Sequence, residues 1–529
     1  MKRTLPFALA AACALAAHPA RAQQAPPAPA WTSGDPVLQR IWDEGMNRSQ
    51  LQPLAQALMD SIGPRLTGSP NIQNAYAWAI QKYASWGIPA RTEQYGTWRG
   101  WARGYTHVDL VSPRVRTLEG TMLAWSPGTN GPVTGPVVVL PDLSDSAAFK
   151  AWLPSVRGKF VLVSFPQPTC RPDDNWAKYA SPASFERMKA ERTAGVQAWN
   201  ARVQKTGRDP RTLPVALENA GALGIVANLW SNGWGVDKVF NARTQTAPTI
   251  DLSCEDYGLV YRLAENNQGP RLRLDAQAQF PGDLPAANVL AELRGRRLPN
   301  EYVMLSAHYD SWDAGSGATD NGTGTIVMME AMRILKAVYP NPRRTILAGH
   351  WTGEEQGLNG SRAFVADNPQ IVANLQALFN QDNGTGRIAN FSYQGLTGVG
   401  PYFTRWFAAL PKLLTDSLTI ADPGLPSSGG TDNASFVCAG APAFGLGSLG
   451  WDYGTYTWHT NRDTYDKLVF DDVRRNAVMT AMLVYLASEE PQRLPRDRRT
   501  EFPVDQRTGQ AGSWPVCQQA ARNTGQSTR

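Results

Sequence analysis

Several acidic residues and two histidines follow the stretches of this sequence expected to be strands. His308 and Asp310 come after the run Tyr302 to Ala307, Asp320 precedes a helical pattern, and Glu354-Glu355 come after the run Thr345 to Gly349. Asp382 follows Leu375 to Asn380, and His459 sits in the later loop Trp458-His459-Thr460-Asn461-Arg462-Asp463. Singly, each has an ordinary reading: Asp320 as a helix N-cap, Glu354-Glu355 as a solvated turn, Asp382 as a turn residue beside Asn383-Gly384, His459 as a hydrogen-bonded loop histidine. Jointly they weigh more, because ligands of open α/β sheets gather beyond the carboxyl ends of the strands. The imidazoles of His308 and His459 with the carboxylates of Asp320, Glu355 and Asp382 suit a pair of divalent ions, and the histidines favour zinc. Three carboxylates and a bridging hydroxide balance the charge of two such ions. One carboxylate must bridge ions ~3.5 to 4 Å apart, a role that falls to Asp320. Asp310 is expected to accept the second ring N–H of His308 and so fix its tautomer. Adjacent side chains point in different directions, so Glu355 is expected to ligate while Glu354 takes the proton of an attacking water and delivers it to a leaving amine.

The elements that must position these groups read as an α/β fold, a mostly parallel-core sheet flanked by helices. After about residue 285 the pattern repeats as strand, loop and helix, with Thr323 to Val338 presenting Val327, Ala331, Ile334, Leu335 and Val338 on one face, and Val473 to Ala487 closing the domain. Near the start, Val37 to Ile62 has helical spacing, the turn Gly63 to Pro70 stops it, and a further helix is predicted from about Ile72 to Trp86. From about 118 to 283 the texture changes to short β-rich runs such as Pro136 to Leu140 and Lys159 to Ser164, with a helix Ala216 to Leu223 stopped by Gly224. The expected organisation is a signal peptide over 1–22, a linker over 23–34, a catalytic domain over 35–117 and 284–490, a β-rich insert over 118–283, and a tail over 491–529. Beyond Pro491 the Arg-, Pro- and Gln-rich tail reads as disordered unless Cys517 staples it down.

The order His308, Asp320, Glu354-Glu355, Asp382, His459 resembles the co-catalytic two-zinc exopeptidases, a family that includes secreted aminopeptidases, carboxypeptidase Q and glutamate carboxypeptidase II. Family-like context surrounds it in Gly63-Pro64-Arg65-Leu66-Thr67-Gly68-Ser69, Thr352-Gly353-Glu354-Glu355-Gln356-Gly357 and Asp463-Thr464-Tyr465-Asp466-Lys467-Leu468. The loop Asp310-Ser311-Trp312-Asp313 with Gly315, Gly317-Ala318 and Asp320 is most similar to the carboxypeptidase Q branch, and Glu218 to Gly224 is similar to part of a protease-associated domain. The resemblance implies two zinc ions per chain, His308 with Asp382 on one and Glu355 with His459 on the other, Asp320 bridging, and Glu354 as general base. It implies hydrolysis of peptide bonds at chain ends or in dipeptides. Glutamate carboxypeptidase II has a tyrosine before the last histidine where this chain has Trp458, so that oxyanion donor is missing there; Tyr453 and Tyr456 read equally as its substitute or as packed loop aromatics. Asp432 reads as a structural turn and His350 as a packed strand residue. A terminal carboxylate would need Arg387 or Arg462, a terminal ammonium Glu354 or Asp382; aminopeptidase or dipeptidase action is favoured. The alternatives are a single-zinc glutaminyl cyclase-like acyltransferase and a non-catalytic receptor-type binding module. A serine hydrolase is disfavoured, since no Gly-x-Ser-x-Gly occurs.

The chain has 529 residues, 42% hydrophobic and 18% charged, which excludes disorder and allows two or three domains. Lys2 and Arg3, the apolar run Leu5 to Ala17 and Ala20-Arg21-Ala22 form a signal-peptide pattern, so the product is expected to be exported, periplasmic or secreted. No second stretch reaches the roughly 18 apolar residues of a membrane span, so no transmembrane anchor is expected. Removal of Lys2, Arg3 and Arg21 with no acidic residue lowers the formal charge from +6 to +3, a mixture that argues against a nucleic-acid partner. Peptides are the expected substrates, and a homodimer is left open. Cys170, Cys254, Cys438 and Cys517 allow two disulfides, and proximity in the domain map favours Cys170 with Cys254 and Cys438 with Cys517.

Overall fold

The continuous apolar runs of the second half of the chain become the buried centre of an eight-stranded sheet. The computed structural model describes residues 30–504, 506 and 509–526; the expected signal peptide lies outside the described residues. At the centre, Arg344–Trp351, Leu298–His308, Leu375–Asn380 and Ala443–Ser448 lie side by side and parallel. Every residue of Arg344–Trp351 and Leu375–Asn380 is buried, so apolar residues run on through Ile346 to Ala348 and Ala377 to Phe379 rather than alternating with polar ones. Antiparallel strands flank this core: Asp283–Leu293 and Ala90–Arg99 on one side, Ile388–Ser392 on the other, with Thr419–Ala421 at the far edge.

Helices Pro36–Asn47, Thr323–Val338 and Phe470–Glu489 pack together over the sheet and bury Ile41, Ile334 and Val478 in one core. The helical pattern from Val37 to Ile62 does not form one rod. It divides into Pro36–Asn47, capped by the Asp35 carboxylate, then Leu51–Ala55 and a wider-wound turn Gln56–Ile62. Pro53 accounts for the break, because a proline is tolerated in the first turn of a helix and not in its interior.

A second eight-stranded sheet lies between the two parts of the first. It begins earlier than the change of texture at 118. Ala102–Ser112 pairs antiparallel with Arg271–Gln279 and with Arg116–Leu118, so the first pairing strand precedes the turn-rich stretch that marks the change in sequence. Its parallel strands are Val133–Val139, Phe160–Leu162, Gly224–Ala227 and Thr249–Leu252. The unit is also more helical than β-rich texture implies, carrying Pro182–Lys205 and Cys254–Glu265 besides shorter helices. Pro182–Lys205 buries only Met188, Trp199 and Val203, too sparse an apolar stripe to stand out as a period.

Both expected disulfides are formed, Cys170–Cys254 and Cys438–Cys517. The described part of the tail is bound to the rest: Trp514 Nε1 donates to the Val437 carbonyl, Ala521 N–H to Asn359 Oδ1, and the Arg522 carbonyl accepts from Thr97 N–H. No helix among the described residues is long and apolar enough to cross a membrane.

The Cys438–Cys517 bridge closes a loop with a sequence separation of 79. Cys517→Ser is expected to cost ~2 to 4 kcal/mol of unfolding free energy and to release the tail. Limited proteolysis with mass mapping checks this; a tail that stays resistant without the bridge would show that its hydrogen bonds alone hold it.

Candidate metal centre

Parallel pairing brings three strand ends to one edge of the sheet. His308 is the last residue of its strand, Glu354 and Glu355 lie in the turn beyond Trp351, and Asp382 lies just beyond Asn380. Gly353 makes the turn before the glutamates with φ +68, and a Cβ there would stand 2.4 Å from the Tyr95 hydroxyl, so only glycine fits. Asp320 lies in an irregular turn before helix Thr323–Val338, and His459 arrives from the loop after Tyr453–Thr457.

The five side chains expected to ligate converge. His308 Nε2 lies 3.1 Å from Asp382 Oδ1 and 3.3 Å from Asp320 Oδ1. His459 Nε2 lies 3.0 Å from Glu355 Oε2 and 3.3 Å from Asp320 Oδ2. Two half-sites therefore share Asp320, one oxygen facing each imidazole. Side-chain exposure across the five runs only from 1% to 9%.

Asp310 corrects one expectation. His308 Nδ1 is 3.0 Å from the main-chain carbonyl of Asp310 but 3.7 Å from its carboxylate. The carboxylate instead accepts from the Thr67 hydroxyl at 3.0 Å and from the N–H groups of Glu354 and Glu355 at 3.3 and 3.4 Å. Asp310 thus still settles the His308 tautomer, through its backbone, and its side chain aims the glutamate turn. The three donors draw the Asp310 carboxyl away from His308, which leaves the main-chain carbonyl as the partner of the ring nitrogen.

Asp463, to which the sequence assigns no role, does the same for Asp320. Its carboxylate accepts from Thr319 N–H at 2.7 Å and from Asp320 N–H at 3.0 Å, and burial pushes its pKa up to about 7. Asp432, expected to be a structural turn, is fully buried beside the centre and is also pushed up to about 7 by burial, with Asp382 and Asp310 adding and His308 opposing. His350 packs in its strand as expected, hydrogen-bonded to the Tyr83 hydroxyl at 2.6 Å. His459 has positive φ and is held by Val239 N–H on its carbonyl and by the Phe240 ring, 5.0 Å away centre to centre.

Burial raises the Glu354 carboxyl well above its ordinary value, and Asp382, Glu355 and Asp432 add to this against His308. It opens on a cavity of about 540 Å³. Tyr453 lines that cavity with its hydroxyl in the field of Asp320, whereas Tyr456 packs against Gly233 in the second unit. Arg387 instead bonds Ser417 at the surface, and Arg462 pairs with Glu119 at 2.6 Å and donates to the Gly235 carbonyl. The arginines on the cavity wall are Arg211 and Arg243, from the second unit. Their place there depends on how the two units meet, and no spacing in the sequence signals it.

The donor set fits metal. Seven carboxylates, Asp310, Asp320, Glu354, Glu355, Asp382, Asp432 and Asp463, crowd into loops of low exposure around two imidazoles. Asp320 Oδ2 and Glu355 Oε1 are buried without a hydrogen-bond partner among the described residues. Unpaired charge in such surroundings is costly, and divalent cations are what this set of oxygens and imidazole nitrogens would accept. His308, Asp320 and Glu355 place one ligand atom each within 4.8 Å of the others.

Residues 288–484 match the sequence profile described as "Peptidase family M28". This segment is a peptidase family M28 domain. The protein is accordingly an enzyme, a metallopeptidase, with the family segment spanning every residue of the acidic centre. Over most of its length the chain is similar to carboxypeptidase Q of Homo sapiens, at 25% identity over 457 residues, 86% of this chain and 88% of that protein. Its fold is similar to the peptidase M28 precursor of Shewanella amazonensis, with a TM-score of 0.65, 22% identity, and coverage of 87% of this chain and 97% of that one. It is also similar to a zinc aminopeptidase of Bacillus subtilis, with a TM-score of 0.52, 18% identity, and coverage of 85% and 96%.

Because Asp463 fixes Asp320 through two N–H groups, Asp463→Ala is expected to weaken metal binding ~10- to 100-fold. A metal titration of folded protein reads this; unchanged affinity would reduce Asp463 to a packing residue.

Proposed function

We propose that this M28 peptidase is an exported two-zinc exopeptidase that hydrolyses dipeptides and free peptide ends, with Glu354 as its proton carrier. The carrying observation is the pair of half-sites that share Asp320, with Glu354 beside them. In this reading His308 and Asp382 hold one zinc, Glu355 and His459 the other, and Asp320 spans both. Bound zinc polarises the scissile carbonyl and acidifies water.

The protein's own groups then have defined work. Glu354 lines the cavity beside both half-sites, a place that suits a carboxylate that takes a proton from water as the new C–O bond forms and passes it to the amine as the C–N bond breaks. The Tyr453 hydroxyl, kept protonated because burial and then Asp320 raise its pKa, is the donor for the developing oxyanion, in place of the tyrosine missing at Trp458.

Both ends of a small substrate find partners around the cavity. Glu354 and Asp382 face an ammonium, and Arg211 and Arg243 give a carboxylate a cationic wall. Burial, and then Arg211 beside it, lower the Arg243 pKa against the pull of Asp209, and both guanidiniums would attract an anion at this wall. A cavity of about 540 Å³ is sized for a short peptide, which favours dipeptides with both ends free. Two disulfides and the signal-peptide pattern support export.

Elemental analysis of purified protein is expected to return two zinc ions per chain; a value of one with full activity would favour the cyclase-like alternative. Glu354→Gln is expected to keep both ions and lose ~10⁴-fold or more in kcat, at or above the upper end for general acid-base assistance, while Glu355→Gln loses one ion. Metal loss from Glu354→Gln with both ions retained in Glu355→Gln would reverse the two assignments, and substantial activity in Glu354→Gln would refute the mechanism.

A further inference from the structure

A second cavity, of about 460 Å³, lies within the unit of the second sheet and plays no part in bond cleavage. Its walls are mostly apolar, with Phe165, Val196, Trp199, Val203 and Leu213 among them. Trp199 and Val203 are two of the few residues that helix Pro182–Lys205 buries, so much of what that helix contributes to the interior goes into this wall.

The cavity shares Phe240, Asn241 and Arg243 with the active-site cavity. None of the three is fully buried, and each lines both cavities. Phe240 touches the ring of His459, and Arg243 belongs to the cationic wall. A single segment thus separates the reacting centre, the proposed carboxylate partner and an apolar space. Gln167 lines this space too, and its Oε1 is buried without a hydrogen-bond partner among the described residues, leaving an acceptor on a mostly apolar wall.

We propose that this cavity is the subsite for the side chain of the substrate's C-terminal residue, and that the enzyme prefers a large apolar or aromatic residue there. The inference rests on the dipeptidase reading above. If Arg211 and Arg243 hold the terminal carboxylate at this shared wall, the side chain on the adjoining carbon is directed towards the apolar space that Arg243 also lines. An indole N–H or a phenol on that side chain finds its acceptor in Gln167. Apolar pockets discriminate by the surface that they take from water, and a difference of one methylene is worth roughly 10- to 200-fold in kcat/KM.

The test compares kcat/KM for Ala-Trp, Ala-Leu and Ala-Gly in zinc-loaded wild type and Val196→Trp. Val196 is 38% exposed on its helix, so the larger side chain fills the cavity without displacing the core. Wild type is expected to favour Ala-Trp over Ala-Gly by roughly tenfold or more, and Val196→Trp to erase that preference while leaving Ala-Gly unchanged. Equal values for the three dipeptides in wild type overturn the subsite and leave the dipeptidase reading standing, as does a Val196→Trp variant that lowers all three alike. No turnover of any dipeptide overturns the dipeptidase reading instead. Calorimetric titration of tryptophan and glycine into both proteins then reads the cavity without turnover: tighter tryptophan binding that Val196→Trp abolishes supports the apolar subsite, and equal binding of the two overturns it.

Discussion

Crowded negative charge is the constraint around which this molecule is organised. Seven carboxylates sit in or beside one buried cluster with only two imidazoles among them. Hydrogen bonds carry part of that load. Asp310 accepts from Thr67 and from the glutamate turn, and Asp463 from Thr319 and Asp320, so two of the carboxylates act as buttresses. The rest of the load falls on Asp320, Glu354, Glu355, Asp382 and Asp432, and it is what makes the centre receptive to divalent cations.

Arg65 holds the frame of this cluster. It is fully buried, and its guanidinium donates to the carbonyls of Tyr309, Gly63, Ser316 and Gly317 rather than to any acid. The cation therefore pins the loop that leads from His308 to Asp320 by its backbone, while its charge lies close enough to favour Asp463, Asp310 and Asp320. Gly317, at φ +59, lets this loop turn where a Cβ would strike Ser311.

The unit of the second sheet takes part in the centre. Val239 N–H holds the His459 carbonyl, Asn461 Oδ1 accepts from Asp237 N–H, and Arg103 pairs with Asp313 at 2.8 Å. Lys238 lies over the Trp458 ring, 4.4 Å from its centre. A histidine of one unit is thus oriented by the backbone and rings of the other, and the cavity above it has walls from both.

The sequence by itself determined the parallel core and the approximate places of the groups around it. Its strands are apolar on both faces, so their ends are sharp in the text of the chain, and chemistry-bearing residues directly after those ends stand out. Helix Thr323–Val338 was legible for the same reason, whereas Pro182–Lys205, with three buried residues, was not. What only the tertiary structure decided is which atom of a residue does the work and which distant residues join it. That His308 leans on the carbonyl of Asp310, that Asp463 aims Asp320, and that Arg211 and Arg243 face the cavity where Arg387 and Arg462 do not, all depend on loop paths and on the docking of two units. Periodicity reports the face a residue presents to its own element; it carries no record of the neighbours that long-range packing brings to that face.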